Sequence, residues 1–272
     1  MNLFATLLFN IRAFGLRRGL RLPVFIYGKI KMRNIGTIRI LCPLRHHLIT
    51  IGTNYQIVTA PYTVFNNTGT VEIHGRVLLN FGCVFTNKGT VVFRGNNIVG
   101  DRSDISIRQR LDVGYNTIFG FENHIADHDS HYLVDVNTHR VLPNSAPITL
   151  GRFNWFGGNC FIKKGTTTPD YLTVASPCSM LSKDYTALPP HSVLAGCPAR
   201  LVKQGIRRIC HYPTEDKIRD YFHLHPDADY YQVDVKADLD EVCKLSLNKQ
   251  HVVNEQATFL TTHRDDLPLP CL

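Results

Sequence analysis

Apolar residues recur along this chain at a step that suits neither a lone helix nor a two-sided strand. Leu150, Phe156 and Ile162 stand six residues apart, and Val113, Phe119 and Ile125 repeat the step upstream. A small residue follows most of them: Gly114, Gly120, Ala126, Gly151 and Gly157. A small side chain after the core position lets the chain turn a corner without a Cβ clash. Every sixth side chain then points into a narrow prismatic core, which is the hexapeptide pattern of a β-helix. A looser repeat lies earlier, where GTVEIHG (69–75) returns as GTVVFRG (89–95), twenty positions on. Residues 35–40 and 48–52 look like degenerate rungs of the same series. Ordinary alternating strands in a sandwich are the competing reading, but a period of two does not produce two clean runs of three hexads.

The two ends of the chain lack the repeat. Residues 2–18 place Leu3, Leu7, Leu8, Ile11 and Phe14 near one helical face, followed by Arg17 and Arg18. Two roles suit such a segment: covering the open end of a solenoid, or lying in an anionic membrane interface. The net charge of +8 is concentrated in this early part of the chain. After Val202 the glycine-punctuated rungs stop. Residues 214–222 and 238–247 read as short helices, the first with Thr214 and early acids at its start. The expected organisation is an N-terminal helix over 1–19, a β-helix over 20–202, and a partly helical appendage over 203–272.

Composition narrows the function classes. A 44% hydrophobic and 19% charged chain of 272 residues suits a globular protein with a sizeable core. Eight cysteines form no CxxC pair, so a reducing, cytoplasmic setting without structural zinc is expected, at the inner face of the membrane if the first helix is interfacial. No apolar run is long enough to span a bilayer. The charges follow the apolar stretch at the N-terminus, which argues against a secretory signal. The basic run comes without a nucleic-acid-binding module, so a nucleic-acid partner is not expected.

The chemistry falls between the hexad runs. FENHIADHDSHYLVDVNTHRVLPNSAP has no six-residue step and is rich in His and Asp, so residues 127–147 should be thrown out as a loop. Loops on a rigid scaffold commonly carry reactive groups. His124, His128, His131 and His139 are candidate bases, and Asp127 and Asp129 candidate partners that orient an imidazole.

Three segments together resemble the hexapeptide-repeat (left-handed β-helix) acyltransferases, in the branch that O-acetylates bacterial surface sugars: IADHDSH, LGRFNWFGGNCFIKKG and SKDYTALPPHSVLAGCPARLV. The resemblance covers roughly residues 20–202. It implies a trimeric, acetyl-CoA-dependent O-acetyltransferase acting on a sugar or glycan, with no metal. In that branch a loop histidine precedes a coil tryptophan by about two dozen residues, and counting 24 back from Trp155 reaches His131. The resemblance therefore implies His131 as the general base, with Asp129 beside it and Trp155 lining the acetyl-CoA channel or acceptor pocket. An imidazole, with a reference pKa of about 6.5, accepts a proton at neutral pH. A backbone N–H of the Gly157–Gly158 turn would hold the oxyanion. Matching positions for coenzyme A are Ala175, Ser176, Ala195 and Gly196, with Lys183 and Lys203 as phosphate partners and Arg200, Arg207 and Arg208 as further cations. Where the family usually has Gly-Ala-Gly-Ser, this chain has Ala175-Ser176-Pro177-Cys178. Rival readings are an antibiotic O-acetyltransferase of the same fold, a γ-carbonic-anhydrase-like zinc enzyme and a non-catalytic trimeric scaffold.

Overall fold

The computed structural model describes residues 1–52 and 62–233. Successive coils contribute short strands to three sheets in which coil pairs with coil in parallel. The first sheet starts at Val24–Ile26 and has nine strands, the second starts at Ile30–Met32 and has seven, and the third starts at Thr37–Ile40 and has five. The architecture fits the expected left-handed parallel β-helix.

Register explains the six-residue step. Leu150, Phe156 and Ile162 sit on the third, first and second faces in turn, so one hexad carries the chain around one edge. Successive coils then align these positions into columns. On the first face the column runs Val99, Phe119, Phe156, Val174, Leu194. On the second it runs Phe85, Ile105, Ile125, Ile162, Leu181. All ten side chains are buried, and Phe119 stacks on Phe156 at 5.0 Å. The twenty-residue repeat upstream is one full coil, with Thr70 paired to Thr90 and Ile73 to Phe93.

The small residues after the core positions are set by the approach of neighbouring coils. A Cβ on Gly114 would stand 2.2 Å from the Gly151 carbonyl oxygen, and one on Gly151 would meet Pro169 at the same distance. Buried polar side chains tie one coil to the next at these edges. Asn123 donates to the Gly120 and Gly157 carbonyls, and Thr117 donates to Gly151. Such bonds satisfy backbone groups that a strand ladder does not reach.

The first helix, α1 (Leu3–Gly19), covers the end of this core. Phe9 packs edge-on against Phe65 at 5.4 Å and is fully buried. Asn10 donates to the Val24 carbonyl and accepts from the Val24 N–H, so the exposed edge of the first strand finds its partners in the helix. Gly15 interrupts α1 with φ 73°, a conformation that favours glycine.

Two compact units part between Arg208 and Ile209, six residues beyond the boundary expected from the end of the repeat. The strand Arg200–Lys203 turns back antiparallel onto Val193–Ala195 and extends the first unit. Within the second unit, helix α2 spans Tyr212–Leu224. It begins two residues before Thr214, because Pro213 suits a first helical turn and His211 takes the cap position. Thr214 lies inside that turn and meets the His211 ring at 2.6 Å. The second helix expected over 238–247 lies outside the described residues.

Candidate active site

The His- and Asp-rich segment leaves the coil where the second face turns toward the third. Asp127 opens it and is fully buried. Its carboxylate accepts from the backbone N–H groups of Arg108, Gln109 and Arg110 at 2.8, 2.6 and 2.9 Å. Asp127 therefore fixes the corner of the preceding coil and does not orient an imidazole. The segment then closes on itself as a two-stranded antiparallel hairpin, Leu133–Asp135 with Arg140–Leu142. Its turn is held by Asp135, which accepts from Asn137 and Thr138. The sequence reading had only a loop here. The signal that would have revealed the hairpin is two short β-prone runs, YLV and RVL, separated by Asp-Val-Asn-Thr-His.

His128 stands at the base of the hairpin. One ring nitrogen, Nδ1, lies 3.3 Å from the Asp129 carbonyl, and Nε2 lies 3.0 Å from Ser106 Oγ. A carbonyl only accepts, so Nδ1 carries the proton and Nε2 accepts from the serine hydroxyl. Next to it on the second face, His124 stacks on Phe161 at 5.0 Å and approaches Asp104 at 4.0 Å. Burial pushes the Asp104 carboxyl above its ordinary range, even though His124 and His128 pull it down.

Asp129 does not meet an imidazole through its carboxylate. Lys164 binds that group at 2.6 Å, with Lys163 at 3.9 Å, and Lys164 also donates to the Pro143 carbonyl. The hydrogen bond from Lys164 holds the Asp129 carboxyl below the usual range. Asp129 and Lys164 thus tie the two ends of the segment together. A depressed carboxyl contributes above its unfolded value of about 3.9 and loses its effect as the pH falls through the lower folded value. Hydrogen exchange over 130–143, corrected for intrinsic rates, is accordingly expected to rise on acidification below about pH 4. Asp129→Asn should show the raised exchange already at pH 7. Unchanged protection in that variant would remove the tie.

His131 is exposed beside the hairpin, and Trp155 is 41% exposed on the first face. The edge that throws out the hairpin joins the second and third faces, so the first face lies across the coil from it. No hydrogen bond or ring contact joins His131 to Trp155 within one chain.

The cofactor candidates fare differently. Trp155, Gly157, Gly158, Ala175, Ser176, Ala195 and Gly196 come together along one edge, where the first face turns into the second on successive coils. A Cβ on Gly157 would lie 2.8 Å from Ser176 Cβ, and one on Gly158 would touch the Phe121 ring. The Gly157 N–H is already committed to the Val174 carbonyl at 2.8 Å. That leaves Gly158 as the amide of this turn without a partner among the described residues. Lys203 ends the strand paired to Val193, on the first face. Lys183 stands at the other edge, its ammonium 5.4 Å from the Tyr185 ring centre. Arg207 lies over Tyr171 at 5.5 Å. Among the described residues no three His, Cys, Asp or Glu side chains gather as a metal site.

No protein-family model matches the chain. A galactoside O-acetyltransferase of Escherichia coli K12 is 23% identical over 173 residues, which are 64% of this chain and 72% of that one. By repeat and by relative, the chain is similar to the hexapeptide-repeat acetyltransferases. Solved structures similar to it include the polySia-specific acetyltransferase NeuO, 16% identical over 88% of this chain and 99% of that one, with a TM-score of 0.38. The polysialic acid O-acetyltransferase OatWY is 21% identical over 68% and 85% of the two chains, also with a TM-score of 0.38. The hexad core supplies the coils, and the chemistry has to be sought on the edges and in the hairpin segment.

Proposed function

We propose that the acetyltransferase moves an acetyl group from acetyl-CoA to a sugar hydroxyl of a bacterial surface glycan or its precursor, of the capsule, lipopolysaccharide or sialic acid kind. The observation that carries this reading is the edge column beginning at Trp155. Beside the exposed Trp155, Ala175 and Ala195 are half-buried and Ser176 and Gly196 are exposed, so successive coils offer small residues along one edge, which suits an extended pantetheine chain. The galactoside acceptor named for the E. coli relative supports a sugar acceptor.

In this mechanism His131 takes the proton from the acceptor hydroxyl as its oxygen attacks the thioester carbon. The tetrahedral oxyanion is held by the Gly158 N–H. Collapse breaks the carbon–sulfur bond, and the departing coenzyme A thiolate takes the proton back from His131. Coenzyme A phosphates pair with Lys203 and neighbouring cations of the first face.

Because the segment with His131 leaves from the edge between the second and third faces while Trp155 lies on the first, we infer that the site closes between copies in a homotrimer. The hairpin supports that assembly. Tyr132 is 70% and Val136 74% exposed, and Leu133, Val134, Val141 and Leu142 are also uncovered. An isolated two-stranded hairpin is marginal in water, so this arm is suited to packing on a neighbour. A cytoplasmic setting is supported by free thiols at Cys83, Cys160 and Cys178.

The test is to incubate the protein with acetyl-CoA and a panel of sialic acid-, fucose- and mannose-bearing glycans. Acceptor-dependent release of coenzyme A with an O-acetylated product supports the reading. Release only with aminoglycosides or other small drugs transfers the assignment to an antibiotic O-acetyltransferase. Absence of transfer to every acceptor overturns both.

A further inference from the structure

Helix α1 is apolar on two opposite sides. Its inner stripe, Ala5 and Phe9 with Ala13, packs on the core end. Phe4, Leu7, Leu8 and Ile11 follow the same i, i+3, i+4, i+7 spacing on the other side, where Phe4 is 78% exposed. Leu3, Leu16 and Leu20 add to this uncovered surface. Covering the core end explains the inner stripe only.

Charge says what belongs on the outer one. Arg12, Arg17, Arg18 and Arg21 are exposed on α1 and the turn after it, and none is ion-paired among the described residues. Nine Lys and Arg precede the first acidic residue of the chain, Glu72. The first coils of the solenoid are therefore cationic throughout, with Lys29, Lys31, Arg33 and Arg45 all exposed. An apolar stripe flanked by arginines meets two requirements at once: the aliphatic and aromatic groups enter the acyl boundary, and the guanidinium groups stay among phosphates.

We propose that the α1 end of the solenoid docks on an anionic phospholipid bilayer. The outer stripe supplies the buried apolar contact, and the arginines supply attraction that depends on lipid charge. The coil that carries the hairpin segment lies four rungs from the first strand, about 19 Å at the usual strand spacing. Docking through α1 thus leaves the candidate active site clear of the lipid. This association does not depend on the acetyl-transfer reading.

Cosedimentation with vesicles tests it. With the full chain, vesicles of phosphatidylcholine and phosphatidylglycerol at 3:1 should bind at least about tenfold more protein than phosphatidylcholine alone, and high salt should reverse most of the difference. Phe4→Ser with Leu7→Ser, both at exposed positions, should lower binding to the mixed vesicles by about tenfold, and Arg17→Ser with Arg18→Ser by a similar factor. Thermal unfolding of the variants should match the parent. Equal binding to both vesicle types by the parent chain overturns the proposal without any variant. So does light scattering that shows the Phe4/Leu7 pair converting an oligomer to monomers, because the stripe would then join copies of this chain.

Discussion

His131→Ala is expected to lower kcat/KM for acetyl transfer by about 10²- to 10⁴-fold, the usual worth of a positioned general base. The variant should fold normally, because His131 is exposed and makes no hydrogen bond in the isolated chain. His128 is the informative control. Its two ring nitrogens are engaged by Ser106 and by the Asp129 carbonyl, so it anchors the base of the hairpin. His128→Ala should therefore give a smaller loss of transfer, together with faster hydrogen exchange across 130–143. The pH profile separates the two roles. Loss of the base removes the acid limb of kcat/KM, whereas loss of an anchor lowers the rate and keeps the limb. If His131→Ala retains activity within about threefold and His128→Ala loses it, the base is His128, whose Nε2 would exchange the Ser106 hydroxyl for that of the acceptor. Subunit mixing adds a second readout. With the site closed between copies, inactive His131→Ala and inactive Trp155→Ala chains should regain part of the activity when assembled together.

Asp127→Ala should be the most destabilising single change near the site, by about 3–5 kcal/mol in urea unfolding. The carboxylate is fully buried and is the acceptor for three consecutive backbone N–H groups, those of Arg108, Gln109 and Arg110. Removing it leaves buried donors without a partner, and each such donor costs about 1–3 kcal/mol. Water entering the vacated space offsets part of that total. Asp127→Asn keeps the shape and one acceptor oxygen, while its amide group faces a donor, so an intermediate loss is expected. A midpoint unchanged in Asp127→Ala would mean that the corner at 108–110 has other support. The same variant should also reduce transfer, since the hairpin segment starts at this residue.

How much of this was legible depended on whether the interaction is periodic. Phe119 and Phe156 could be placed in the core from the six-residue step alone, and the register then showed them on the same face. The same holds for Gly114 and Gly151, whose small size the register of neighbouring coils demands. Asp127 and Asp129 could not be told apart in that way. Both sit in one acidic, histidine-rich stretch, yet one binds backbone amides of the preceding coil and the other binds Lys164, 35 residues further on. Nothing in local spacing encodes either partner. The hairpin was missed for a related reason: its strands are three residues long, too short for a period of two to stand out against the surrounding polar residues.

The sequence by itself determined the solenoid, its core columns, the exit point of the hairpin segment and the cationic start of the chain. These follow from side-chain volume and charge repeated at fixed intervals, which any compact arrangement of the chain has to respect. Only the tertiary structure decided that α1 uses one apolar stripe and leaves another uncovered. It also decided that the Gly157 amide is spent on the ladder, and that the segment with His131 leaves from the edge opposite the face carrying Trp155. Those outcomes depend on which coil lies above which and on the direction each edge faces, and a linear spacing of 24 residues carries neither.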